Sequence, residues 1–256
     1  MKKIVDVKDV SFKYEEQFVL KHINLEVKKG DFLALLGPNG SGKTTLMKLL
    51  IGELKASSGY IKIMGNDINN FSDWSKLGYI SQQVKEFNHS FPATVREVIA
   101  ANLYTKMGFL KLMNRSLRQK IDEILKMLDM YKFRNRQIGK LSGGQQQRVF
   151  IARTLVTDPE LIFLDEPLVG VDDRNQKEFM RIINKLNREF GISIIMISHD
   201  IHIVSSEANK IACFTDDGLY IHSADEFTYD DYTREINNGS VFLPEHNHLK
   251  DGGSDV

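Results

Sequence analysis

The chain has 256 residues with 34 basic and 34 acidic side chains, so its formal charge is zero and it carries no surplus of positive charge to hold a polyanion. The length suits one α/β domain, or a domain with a subdomain, large enough to bury a sizeable core. A single cysteine, Cys213, excludes an internal disulfide and reads as a small buried side chain. No apolar run approaches the ~18 residues that a membrane span needs, and Asp6, Lys8 and Asp9 break any leader-like stretch after Met1-Lys2-Lys3. The expectation is a soluble chain of a reducing cytosol that reaches a membrane only through a partner.

The first strand is marked by near-alternating Val5, Val7, Val10 and Phe12, closed by Tyr14. Ile23, Leu25 and Val27 alternate in a second strand, and the turn at Lys29-Gly30 leads into a short apolar strand over Phe32 to Leu36. Tyr60 to Met64 and Leu77 to Ser81 are further strands. From about residue 85 to 158 the character is helical. Thr94-Val95-Arg96-Glu97 has capping-box spacing and opens a helix through Val98, Ile99 and Leu103; Ser116-Leu117-Arg118-Gln119 has the same spacing and precedes a stripe of Ile121, Ile124, Leu125 and Leu128. Both stripes read as packing within a helical subdomain, and Met107 to Met113 between them is an apolar linker that offers a contact surface. The α/β rhythm then returns: a strand over Leu161 to Leu164, a helix through Phe179, Ile182, Ile183 and Leu186 that stops at Gly191, a strand over Ser193 to Ile197, and a hairpin from Ile211 to Ile221 turning at Asp217-Gly218.

Three segments carry chemistry. Gly37-Pro38-Asn39-Gly40-Ser41-Gly42-Lys43-Thr44-Thr45 fits the phosphate-loop spacing between a strand and a helix. Its glycines let successive N–H groups turn inward on a polyphosphate, beside the positive end of the helix dipole. Lys43 would reach the β- and γ-phosphates, and the Thr44 hydroxyl would bind Mg²⁺. Next, Leu141-Ser142-Gly143-Gly144-Gln145 is a capped helix start with two glycines, a second place for an anion that a single nucleotide does not obviously need; an ordinary capped helix is the plainer alternative. Finally, the strand over Leu161 to Leu164 ends in Asp165 and Glu166. Asp165 would hold Mg²⁺, and Glu166, pointing the other way on a strand, would act as general base on a water. His199, in Ser198-His199-Asp200, ends another apolar strand and should lie at the same sheet edge, in reach of the γ-phosphate.

In this order the segments resemble the ATP-binding subunit of an ABC transporter, with Leu141-Ser142-Gly143-Gly144-Gln145 as the family's own signature. The resemblance implies an α/β phosphate-loop ATPase core with an antiparallel β subdomain and an inserted helical subdomain. It covers residues 1–225, leaving 226–256 as a partly mobile extension. It assigns Tyr14 to stacking on adenine, Gln82 to the loop that senses Mg²⁺ and the membrane partner, Gly170-Val171-Asp172 to a dimer-contact loop, and His199 to the switch histidine. Glu166-Pro167-Leu168 departs from the usual Glu-Pro-Thr and loses a hydroxyl at the dimer contact. The implied assembly is a head-to-tail homodimer in which each ATP is held by the phosphate loop of one copy and by Ser142, Gly143, Gly144 and Gln145 of the other. It works with Mg²⁺, on the cytoplasmic face of the membrane, with permease subunits and, through them, an extracytoplasmic substrate-binding protein. The helical block, with Gln82 at its entry, is the expected dock for the permease. No nucleic-acid partner is expected.

The cargo rests on resemblance alone. Phe91-Pro92-Ala93-Thr94-Val95-Arg96-Glu97-Val98 and Val169-Gly170-Val171-Asp172 are similar to the zinc and manganese importer branch. Iron–siderophore and cobalamin importers, and exporters or lipoprotein-release motors, share the layout. DNA-repair and chromosome-organising ATPases would need coiled-coil or zinc insertions, and translation factors a second head. His246 and His248, with Glu245 and Asp251, offer imidazole and carboxylate to a transition metal, against the plainer expectation of a solvated, mobile end.

Overall fold

The computed structural model describes residues 2–81, 92–106, 113–200, 206–215, 218–224 and 227. Gln82, Phe91, the stretch 107–112, the turn residue Asp217, and Glu245, His246, His248 and Asp251 of the tail lie outside the described residues.

Strands β1 (Lys3–Tyr14) and β2 (Gln17–Lys28) form a long hairpin. The near-alternation of β1 has a physical cause: Asp9 takes a left-handed φ of 52° and the register slips between Val7 and Val10. This bulge brings Val5, Val7 and Val10 into one core despite their uneven spacing. After β3 (Phe32–Leu36) and α1 (Lys43–Leu50), β4 (Ser58–Ile63) and the two-residue β5 (Asn66–Asp67) complete an antiparallel sheet of order β2-β1-β4-β5. The second sheet has the order β10-β9-β3-β8-β7-β6, where β6 is Leu77–Ile80, β7 Leu161–Asp165, β8 Ser193–Ile197, β9 Lys210–Thr215 and β10 Gly218–Ser223. Neighbours are parallel throughout, except for the terminal hairpin of β9 and β10.

The two-residue period of the central strands divides the interior. Leu33 and Leu35 of β3, Leu161 and Phe163 of β7, and Ile195 and Ile197 of β8 join a core with α1 and the antiparallel sheet. Their alternates, Phe32, Ala34, Leu36, Ile162, Leu164, Ile194 and Met196, join a second core under the helices. Those helices are α2 (Val95–Ala100), α3 (Arg115–Met127), α4 (Gly143–Leu155) and α5 (Asp173–Arg188). Strands covered on both faces explain why β3 and β8 read as unbroken apolar runs rather than alternating ones. Cys213 is buried in the helix-side core.

The cap of α2 is as predicted. Thr94 N–H donates to Glu97 Oε2 at 2.7 Å, and Glu97 N–H donates to Thr94 Oγ1 at 3.4 Å. The predicted second box at Ser116 is not the cap of its helix. Asn114 holds that position, its Oδ1 accepting from Leu117 N–H at 2.8 Å, and Ser116 lies one residue inside α3. An asparagine carbonyl reaches the N3 amide as well as a serine hydroxyl does, and Gln119 turns instead to Glu123 Oε1 at 3.0 Å.

A phosphate-loop site at the carboxyl edge of the sheet

Three adjacent strands deliver the site. β3, β8 and β7 run parallel, with Leu35 level with Ile197 and Ile197 level with Asp165. Their carboxyl ends therefore bring together the phosphate loop after Leu36, His199 after Ile197, and the Asp165-Glu166 pair.

In the loop, Ser41 N–H donates to Pro38 O at 3.3 Å, and α1 starts behind Gly42, whose φ is 99°. A side chain at Gly42 would bring its Cβ to 2.6 Å from Leu20 of β2, so this position needs glycine for its conformation and its space. The same contact ties the loop to the β1–β2 hairpin, whose tip presents Tyr14 half-exposed and edge-on to Phe12 at 4.8 Å. Asn39, Gly40 and Thr44 are exposed, and no side chain caps the first turn of α1. The first turn thus has no side-chain cap and an exposed Thr44, as an anion site requires. The Ser41 hydroxyl is buried without a hydrogen-bond partner. An orphaned hydroxyl inside such a loop fits a phosphate oxygen.

Lys43 is 5% exposed and folds back over the loop, donating to Gly37 O at 2.8 Å and Pro38 O at 2.7 Å. Burial lowers its pKa, while the Glu166 and Asp165 carboxylates oppose the shift. Burial likewise raises the pKa of Asp165 from its ordinary value, a hydrogen bond from Tyr79 Oη at 3.2 Å works the other way, and the neighbouring charge of Glu166 adds to the rise. A partly buried carboxylate with a raised pKa is a hard-oxygen donor that a divalent cation would relieve.

β7 ends at Asp165, and Glu166 has a left-handed φ of 46°. The expectation that Glu166 faces away from Asp165 because both lie on a strand is therefore corrected. It is the turn that aims it, anchored where Glu166 N–H donates to Ile197 O at 3.2 Å. One Glu166 oxygen sits 2.6 Å from His199 Nε2. Such a non-glycine residue in the left-handed region is sparsely populated and clusters at functional sites.

Ser142 to Gln145 open α4 on the opposite, helix-side face of the sheet from α1. Ser142 N–H donates to Gln145 Oε1 at 3.1 Å and Gln145 N–H to Ser142 Oγ at 3.4 Å, with Ser142 and Gly143 exposed. The two glycine-rich turns thus sit on different faces of one sheet. Leu168, which stands where the resemblance has a hydroxyl residue at a dimer contact, is 7% exposed and packed in the helix-side core.

The sequence pattern of the ABC transporter family matches residues 20–169. The chain belongs to this ABC ATPase family. Among curated relatives, the zinc uptake system ATP-binding protein ZurA of Listeria monocytogenes is 43% identical over 92% of both chains. The manganese transport system ATP-binding protein MntB of Halalkalibacterium halodurans is 34% identical over 82% of both chains. The dimeric post-hydrolysis structure of the ATP-binding cassette MJ0796 with ADP and Pi superposes with a TM-score of 0.70 at 30% identity, covering 87% of this chain and 100% of that one. The expected fold class, with its antiparallel β subdomain, is therefore met by the ABC cassette itself. Among the described residues no helix is long and apolar enough to cross a membrane, and no group of three metal-ligating side chains forms.

Two residues near the site escaped the sequence reading. Tyr79 is level with Phe163 across β6 and β7, yet its phenol reaches Asp165. Gln147, buried on α4, donates to Pro167 O at 2.9 Å. Neither has a local signal, because both partners are named only by the strand order and the helix docking.

Proposed function

We propose that this chain is the ATP-hydrolysing subunit of an ABC importer for a divalent transition metal, zinc ahead of manganese. The observation that carries the cargo is the 43% identity to a zinc uptake ATP-binding protein over 92% of both chains. The manganese reading rests on the more distant relative at 34%.

In the reaction, the phosphate loop from Gly37 to Thr45 holds the ATP phosphates through its backbone N–H groups and Lys43, and Tyr14 stacks on the adenine. Lys43 must exchange the carbonyls of Gly37 and Pro38 for phosphate oxygens, so that its ammonium meets ionised acceptors in place of neutral ones. Mg²⁺ would be held by Thr44, Asp165 and Gln82, and would neutralise charge on the β- and γ-phosphates. Glu166 takes the proton of the attacking water, and His199, already bonded to it at 2.6 Å, orients the carboxylate and faces the γ-phosphate. Ser142, Gly143, Gly144 and Gln145 complete the site of a second copy in a head-to-tail pair. That arrangement gives the turn on the far face of the sheet an anion to bind. Closure on ATP and reopening after hydrolysis would drive permease subunits from the cytoplasmic side, with an extracytoplasmic binding protein supplying the cargo.

The test is deletion of the gene, followed by growth in chelator-treated medium with each metal restored singly. Rescue by zinc alone supports zinc, and by manganese alone, manganese. Normal growth and normal content of both metals, with no redundant importer, would refute metal import.

A further inference from the structure

The loop from Glu166 to Asp172 has no regular structure, yet its carbonyls are taken by side-chain amides from two helices. Gln147 Nε2 of α4 donates to Pro167 O at 2.9 Å, and Gln176 Nε2 of α5 donates to Val171 O at 2.8 Å and Leu168 O at 3.4 Å. Gln147 is 8% exposed. A buried primary amide at a position that leucine or methionine could fill is destabilising unless its donor is used. Its donor goes to the residue directly after the proposed general base. A second contact joins the far end of the loop to the same helix turn. A Cβ at Gly144 would come to 2.5 Å from Asn175 Oδ1, and Asn175 Nδ2 donates to Asp172 Oδ2 at 2.6 Å. The first two turns of α4 therefore touch this loop next to Glu166 and, through Asn175, at Asp172.

In the head-to-tail arrangement proposed above, on which this inference rests, the start of α4 binds the partner's ATP, while Glu166 serves its own. A helix moves as a rigid body, so a shift of its first turn reaches Pro167 through one hydrogen bond. We propose that Gln147 is a positioning residue that couples the two ATP sites: engagement of one nucleotide by Ser142 and its glycines sets the Glu166 carboxylate against the other. Glu166 is suited to such control, because it sits on a strained turn rather than in a strand. The physical requirement for coupling is an element whose position both sites bias, and α4 with the Pro167 carbonyl is that element.

The test uses the full chain with Gln147→Met, which keeps length and volume and removes the donor. ATP hydrolysis is measured against ATP concentration, with thermal unfolding and ATP-dependent dimerisation alongside. The expected result is a kcat about tenfold lower with KM within about twofold, and a Hill coefficient that falls from above 1 to about 1. The double variant Gln147→Met/Glu166→Gln should still dimerise on ATP as fully as Glu166→Gln does. If Gln147→Met does not fold, Gln147→Glu, of the same shape but turning an acceptor on Pro167, carries the same expectation. Unchanged kcat and Hill coefficient would overturn the proposal. So would a Hill coefficient of about 1 in the unaltered chain, or loss of dimers only in the double variant. Failure of Glu166→Gln alone to dimerise would overturn the head-to-tail reading instead.

Discussion

The two reciprocal capping boxes allow stability to be separated from function at the signature turn. Ser142 and Thr94 share two local bonds: each backbone N–H is taken by the side chain three residues on, and each hydroxyl accepts from that residue's N–H at 3.4 Å, while Thr94 Oγ1 also donates to Glu97 Oε2 at 2.7 Å. Removing either hydroxyl deletes one N-cap, at about 1 kcal/mol. For a chain of this size that is a fall in Tm of about 2–4 °C. The two helices differ in what lies beyond the cap. If Ser142 also donates to an ATP phosphate on a second copy, Ser142→Ala loses a hydrogen bond to a charged group as well. That is worth about 1.5–3 kcal/mol, or about 10- to 150-fold in kcat/KM. Thr94→Ala should lose at least as much stability, because it also removes the bond to Glu97, and keep purified-cassette ATPase activity within about twofold. Calorimetry and phosphate release on the two variants give the comparison directly. Equal activity in both would refute the composite site, because Ser142 would then be a helix cap and nothing more.

The remaining predictions are independent of that one. Glu166→Gln should lower kcat by about 10²- to 10⁴-fold, the usual worth of a general base, and leave ATP binding intact; a normal turnover rate would assign the base elsewhere. Lys43→Ala should weaken ATP affinity by about tenfold or more, since it removes charge-assisted bonds, as titration calorimetry would measure. Leu168→Thr, which restores the family's hydroxyl, should destabilise by about 1–3 kcal/mol because it puts a polar group in a packed core, with no gain in turnover. Hydrogen bonds from Lys29 and then Lys76 push Glu160 down from 4.5 to about 2. A depressed carboxylate stabilises the fold above its ordinary pKa and ceases to do so as pH falls through the folded value. Glu160→Gln should therefore lower Tm slightly at neutral pH, and the gap should close between pH 4.5 and about 2.

The legible parts of this chain are those whose cause is local. The phosphate loop announces itself because its spacing, its preceding apolar strand and its following helix are all consecutive. The boxes at Thr94 and Ser142 need only four residues each. Even the common edge of His199 and the acidic pair follows from one rule, that ligands meet the carboxyl ends of parallel strands. Errors arise where two local solutions compete. Asn114 and Ser116 can each open α3, and only the helix register decides that the asparagine does. Glu166 was assigned to a strand because the apolar run before it is one, whereas the chain leaves the sheet one residue earlier. The packing of Leu168, which stands where the family has a hydroxyl, is a property of the assembled core that no local pattern carries.

What no sequence window contains is the geometry between elements. Tyr79 meets Asp165 across 86 positions and Gln147 meets Pro167 across 20, and each pairing depends on which strand or helix lies beside β7. The signature turn poses the same problem one level higher. Its exposed glycines lie on the helix side of the sheet, while the phosphate loop opens α1 on the other. The proposed second copy, turned head to tail, would answer this, because it would bring the one turn to the other without refolding either. It would also give each subunit a helix that senses a neighbour's nucleotide and a carboxylate that acts on its own. The contact of α4 with the Glu166–Asp172 loop would then link the two events through one hydrogen bond, from Gln147 to Pro167, and hydrolysis at one site need not be independent of binding at the other.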